Sequence, residues 1–155
     1  MTESILIASD HAGAELKAFV IQALSQKNLG IFEDLGPPSK DTSVDYPDNA
    51  ERLAKRVAKA SAERPCRGIL ICGSGIGMSI AANKVDGIRA ALVENPVSAR
   101  LSREHNDANV LCLGARFVAG EYAAEIIEVW LKTPFSGGPR HQNRIDKIKK
   151  LEETT

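Results

Sequence analysis

Short blocks of consecutive apolar residues alternate along the chain with longer segments whose apolar side chains recur every three to four positions. The blocks Ser4–Ala8 (SILIA), Gly68–Cys72 (GILIC), Ile88–Val93 (IRAALV) and Val110–Leu113 (VLCL) predict buried strands, and Ile31–Leu35 a weaker one. The periodic segments predict helices over Ala14–Gln26, Asp48–Ala62, Met78–Lys84, Pro96–His105, Gly120–Leu131 and Arg140–Leu151. In the first of these Leu16, Phe19, Val20, Ala23 and Leu24 share a face; in the second Leu53, Val57 and Ala60 point inward. Loops are marked by Asn28-Leu29-Gly30, by Gly36–Pro47 with Gly36-Pro37-Pro38 and Asp45-Tyr46-Pro47 at its ends, by Gly73–Gly77 and by Thr133–Pro139.

The strand blocks lack polar alternation, which predicts a sheet covered on both faces. Strands alternating with helices then predict an α/β domain of three layers, a mostly parallel sheet flanked by helices. A chain of 155 residues fits one such domain. In these sheets ligands collect beyond the C-terminal ends of the strands. The unusual residues fall there: Ser9-Asp10-His11, Cys72 with its glycine loop, Glu94-Asn95, and Gly114-Ala115-Arg116.

Charge narrows the possibilities. Twenty basic residues balance twenty acidic ones, which argues against a general nucleic-acid or polyanion binder. An apolar fraction of 43% with 26% charged residues is that of a soluble folded domain. No apolar run approaches the roughly 20 residues that cross a bilayer. The segment MTESILIASDHAG has neither a basic start nor a long apolar run, so no secretory signal is expected. The three cysteines, Cys66, Cys72 and Cys112, form no CxxC or Cys/His metal pattern. Free thiols in a reducing, cytoplasmic compartment are expected, with no metal and no cofactor.

Cys72-Gly73-Ser74-Gly75-Ile76-Gly77 joins a strand to a helix, and its glycines leave backbone N–H groups free to converge on an anion. A dinucleotide fingerprint needs glycine where Met78 stands; Glu94 nevertheless occupies a position suited to a ribose-binding acid, so a non-catalytic nucleotide-binding module stays open. A thiol at the head of a helix is biased towards thiolate, which singles out Cys72; Cys112, in mid-strand, reads as a small core residue. His11 follows Asp10 at a strand end, where a phosphate or hydroxyl contact competes with a structural role. His105 precedes Asn106 at a helix C-terminus, where capping competes evenly with catalysis. Arg140 and Arg144 lie one helical turn apart and could clamp a phosphate, with Arg116 a third cation; a solvated charged face is the plainer alternative.

These stretches, together with SIAANK (Ser79–Lys84), SREHNDAN (Ser102–Asn109) and GGPRHQNR (Gly137–Arg144), resemble the type B ribose-5-phosphate isomerases, a family shared with galactose-6-phosphate isomerase subunits. The resemblance covers nearly the whole chain. It implies a Rossmann-like sandwich and an aldose–ketose isomerase of pentose phosphate metabolism, working through a cis-enediolate without metal. It implies that Cys72 is the base between C1 and C2 and that His105 opens the sugar ring. Asp10, His11 and Asn106 would contact substrate, and the backbone of Gly73, Ser74, Gly75, Ile76 and Gly77 would bind the enediolate oxygens. Arg116, Arg140 and Arg144, with His11, would hold the phosphate, and Asp45 and Tyr46 would line the sugar site. The family further implies a homo-oligomer, dimer or tetramer, with active sites shared between subunits and the helix near 140–151 at the interface. A family branch that uses a glutamate after the last glycine is excluded by Met78, and Pro139 lengthens the loop before Arg140. Activity on a hexose 6-phosphate, allose or galactose, is the alternative within the family.

Overall fold

The computed structural model describes residues 3–60 and 64–153. Five strands form one parallel sheet: β1 (Ser4–Ser9), β2 (Ile31–Asp34), β3 (Cys66–Cys72), β4 (Ala90–Leu92) and β5 (Val110–Gly114), in the order β2-β1-β3-β5-β4. The described residues also form six helices: α1 (Ala14–Gln26), α2 (Tyr46–Ala58), α3 (Ile76–Ala82), α4 (Pro96–Asn106), α5 (Gly120–Lys132) and α6 (Pro139–Glu152).

Two apolar cores sandwich the sheet. Ile5, Ile7, Ile69, Ile71, Leu111 and Leu113 face α1, α4 and α5, whose Val20, Ala99, Ile127 and Trp130 meet them. Alternate residues Leu6, Ala8, Leu70, Cys72, Val110 and Cys112 face α2 and α3 through Leu53, Val57, Met78 and Ala82. Both faces of the three central strands are thus dry, which is why their sequences run apolar without alternation. The edge strand β2 differs. Its four residues are mostly exposed and include Glu33 and Asp34, a charged edge that discourages pairing with another chain.

Several boundaries depart from the sequence pattern. Tyr46 and Pro47 belong to the first turn of α2 rather than to a loop; proline is tolerated there because its missing N–H would have no helical partner. Ala60 lies beyond the end of α2, and Ala62 lies outside the described residues. The helix after the glycine loop starts at Ile76, so Ile76 and Gly77 form its first turn. In α1 the face is rotated: Phe19 is 39% exposed, while Lys17 is buried at 2%.

Arginines close the N-terminal edge of the sheet. Arg67 pairs with Glu3 and donates to the carbonyls of Trp130 and Leu131 at the end of α5. Arg103 donates to the carbonyls of Ala108 and Thr133, and Arg89 to those of Asn106 and Asp107. Each group satisfies helix-terminal carbonyls that have no helical donor and suits the negative end of the helix.

Candidate active site

β1 leads outward through α1 to β2 on one side, and β3 leads through α3 to β4 on the other. The strand order therefore reverses between β1 and β3, and a crevice opens above their C-terminal ends. The loops over this crevice touch backbone to backbone. Asp10 N–H donates to the Ile71 carbonyl at 3.1 Å, and Asp10 Oδ1 accepts the Gly13 N–H at 3.0 Å. A Cβ on Gly13 would stand 2.5 Å from the Ile71 carbonyl oxygen, so only glycine lets the β1–α1 loop lie on β3.

Cys72 ends β3 and is 4% exposed. Its Sγ accepts the N–H of Gly75 at 3.1 Å, at the head of α3. Gly75 has φ +75°, a left-handed conformation that turns the chain back over the sulfur. Ser74 Oγ accepts the Ile76 N–H at 3.2 Å. The β5–α5 loop braces the cradle: the N–H groups of Ala115 and Arg116 donate to the carbonyls of Cys72 and Gly73. The Arg116 guanidinium lies beside Gly73, its Cζ 3.0 Å from where a Cβ would be. Tyr46 packs its ring on Gly77, in the space a Cβ there would occupy. Asp45 caps α2 by position alone; its carboxylate makes no capping bond and is exposed. His11 is exposed beside Asp10.

Burial pushes the Cys112 thiol well up, and it pushes up that of Cys66 too, where Arg56 opposes the effect. Met78, in the position of the excluded glutamate, is fully buried in the α2–α3 core. Among the described residues no group of three His, Cys, Asp or Glu side chains is placed to hold a metal ion.

Residues 5–148 match the model of a family described as Ribose/Galactose Isomerase. The chain belongs to that family. It is 47% identical over 155 residues to a probable ribose-5-phosphate isomerase B of Mycoplasma genitalium, covering 100% of this chain and 99% of that one. It is 42% identical over 151 residues to ribose-5-phosphate isomerase B of Escherichia coli, 97% of each chain. The crystal structure of the M. genitalium ribose-5-phosphate isomerase B with bound ribulose-5-phosphate superposes with a TM-score of 0.91 at 46% identity, over 100% of this chain and 99% of that one. The Trypanosoma brucei type B enzyme superposes with a TM-score of 0.89 at 45% identity, over 97% and 99%.

The remaining candidates in this family member are not at the crevice. α4 starts after β4, at the C-terminal edge, and runs back to the start of β5, so His105 and Asn106 sit at the N-terminal edge. Asn106 lies there against Arg89, just before β4. A helix of 11 residues spans about 16 Å, too far for His105 to share a proton with a sugar beside Cys72 of the same chain.

α6 brings Arg140 and Arg144 to this second cluster and adds a residue the pattern did not single out. His141 stacks on His105 with ring centroids 4.3 Å apart, tilted by 40°. Its Nδ1 is 2.9 Å from Ser136 Oγ, and the Ser136 N–H donates to the Glu104 carbonyl. Desolvation, then His105, Arg140 and Arg144, hold the His141 imidazole below its ordinary value. The RHQNR run carried the signal, since His141 follows Arg140 directly.

The arginines themselves separate into two kinds. Arg52, Arg56, Arg67, Arg89, Arg100 and Arg103 all donate to protein acceptors. Among the described residues the guanidinium groups of Arg116, Arg140 and Arg144, like that of Arg64 ahead of β3, make no hydrogen bond or ion pair, and all are exposed. Guanidinium groups left in this state are suited to an external anion.

Proposed function

We propose that this chain interconverts ribose 5-phosphate and ribulose 5-phosphate in sites completed by a second copy. The carrying observation is the sulfur of Cys72, 3.1 Å from a backbone N–H at the head of α3, in the crevice where the strand order reverses. As a thiolate it takes the proton from C2 of the open-chain aldose. The C2–H electron pair becomes the C1–C2 double bond and the carbonyl pair moves onto O1. N–H groups at the cradle stabilise this enediolate; one such donor typically contributes a few kcal/mol. A proton then passes from the C2 hydroxyl to O1, and the Cys72 S–H returns its proton to C1, leaving the ketose.

Ring opening comes first: a proton leaves the O1 hydroxyl and one reaches the ring oxygen. An imidazole suits both transfers near neutral pH, and the second copy's His105 supplies it, with Asn106 on the sugar and Arg140 and Arg144 on the phosphate beside Arg116 and His11. Phosphate binding far from C1 and C2 holds the reacting carbons in place. Asp10, Asp45 and Tyr46 line the sugar.

A homodimer is supported by the surface near the cradle. Ile76 and Ile80 of α3, Leu92 of the edge strand β4 and Val97 of α4 are large apolar residues exposed by 50%, 58%, 37% and 57%. Exposed apolar side chains around an unpaired sheet edge call for cover. α6 contributes at the same interface: Ile145 is buried within the chain, while Ile148 on the same stripe is 41% exposed.

The test is turnover of ribose 5-phosphate by the parent and by Cys72→Ala, beside allose 6-phosphate. We expect kcat to fall about 10³-fold or more in a folded Cys72→Ala protein. Near-parental turnover would refute the base assignment, and a higher kcat/KM on the hexose would overturn the pentose one.

A further inference from the structure

Lys17 is fully buried in α1, and no step of the isomerisation uses it. An ammonium taken from water costs several kcal/mol unless its donors are matched. Here Nζ donates to Asp34 Oδ1 at 2.5 Å and to the carbonyl of Pro37 at 2.7 Å. The same Asp34 oxygen accepts the Gly36 N–H at 2.8 Å, and the Gly36 carbonyl accepts the Ser9 N–H at 3.1 Å. Three residues further on, Lys40 pairs with Glu15 of the first turn of α1 at 2.8 Å.

The lysine therefore grips the foot of the loop between β2 and α2. That loop starts beside α1 on one face of the sheet and ends on the other at Asp45, just before Tyr46 of α2 meets the cradle at Gly77. Lys17 itself stands directly behind the opposite wall. Its backbone N–H donates to Gly13, whose own N–H is held by Asp10. One side chain thus ties the loop that ends at Asp45 and leads into Tyr46 to the helix entered through Asp10 and His11. On the α2 side Arg52 holds the carbonyl of Leu35, so the foot is gripped from both faces.

We propose that Lys17 is a positioning residue for the isomerase, setting the separation of the two walls of the sugar site through the Asp34 and Pro37 bonds. This rests on the sugar-phosphate reading above. Lys17→Met keeps the length and apolar bulk and removes both bonds. The KM for ribose 5-phosphate should rise about tenfold, the worth of one charge-assisted hydrogen bond, with kcat within about twofold. Amide hydrogen exchange across residues 38–46 should quicken about tenfold while the β5 amides stay unchanged.

A purely structural lysine would lower the melting temperature and leave KM and the loop amides alone, and that result overturns the proposal. If Lys17→Met does not fold, Asp34→Ala decides. It removes the ion pair from the half-exposed side, together with the acceptor of the Gly36 N–H, and should move KM and loop exchange the same way; no change in either overturns the proposal. If the parent does not turn over ribose 5-phosphate, the functional reading fails by itself. Loop exchange then tests the grip alone, and unchanged exchange in both variants overturns it.

Discussion

At the C-terminal edge of the sheet the candidate thiol and its cradle are buried and braced by backbone; at the N-terminal edge the candidate groups stand in solvent. Cys72 is nearly inaccessible, and at Gly75 and Gly114 beside it a Cβ would run into backbone: at Gly114 it would meet the Ser74 carbonyl oxygen at 2.5 Å. His105, Arg140 and Arg144 are exposed, and the two arginines have no protein acceptor. A cradle for a developing charge must be rigid before the charge forms. Groups that close over a substrate from another copy need only be presented on a firm helix end. The arginines that cap α4 and α5 supply that firmness. The length of the strands and of α4 keeps the two sets apart within one chain, and symmetry between two chains can bring them together.

Removing the groups at the open edge should produce graded losses. His105→Asn should lower turnover of cyclic ribose 5-phosphate about 10²-fold, within the range of one acid–base group, and spare an open-chain aldose phosphate. Equal losses on both substrates would remove His105 from ring opening. Arg140→Ala should raise KM for the phosphorylated sugar about tenfold with a smaller change in kcat; an unchanged KM would leave the phosphate without its clamp.

The smallest effect is in pH. His141 is harder to protonate in the folded chain than in the unfolded one, because of desolvation and its cationic neighbours. Its contribution is therefore complete above about pH 6.5 and is lost as pH falls through the lower folded value. Melting temperature should drop more between pH 7.5 and 5.5 in the parent than in His141→Asn. Inorganic phosphate seated between Arg140 and Arg144 should shrink the difference, whereas identical pH curves would leave the edge electrostatically idle.

The layered fold was legible because the central strands are dry on both faces and the helices carry regular stripes. Ala14–Gln26 was readable to the residue. Phe19 was misplaced and Lys17 went unmarked because periodicity reports hydrophobicity, and a buried lysine satisfied by a turn far away in sequence has no local signature. The cradle was legible from its glycines and from the cysteine at a strand end. The separation of His105 from Cys72 had a readable sign as well: a residue between a helix and the next strand of a parallel sheet lies at the opposite edge from one between a strand and the next helix. What the pattern could not carry was Tyr46 against Gly77 or His141 against His105, contacts fixed by packing between elements.

Complementation between two inactive variants tests the shared site most directly. Cys72→Ala and His105→Asn chains, each nearly inactive alone, are co-refolded in equal amounts and assayed on ribose 5-phosphate. Random pairing places one intact site in each mixed dimer, so about one quarter of parental activity should return. A mixture that forms mixed dimers, yet stays as inactive as its components, would contradict a site built from two chains.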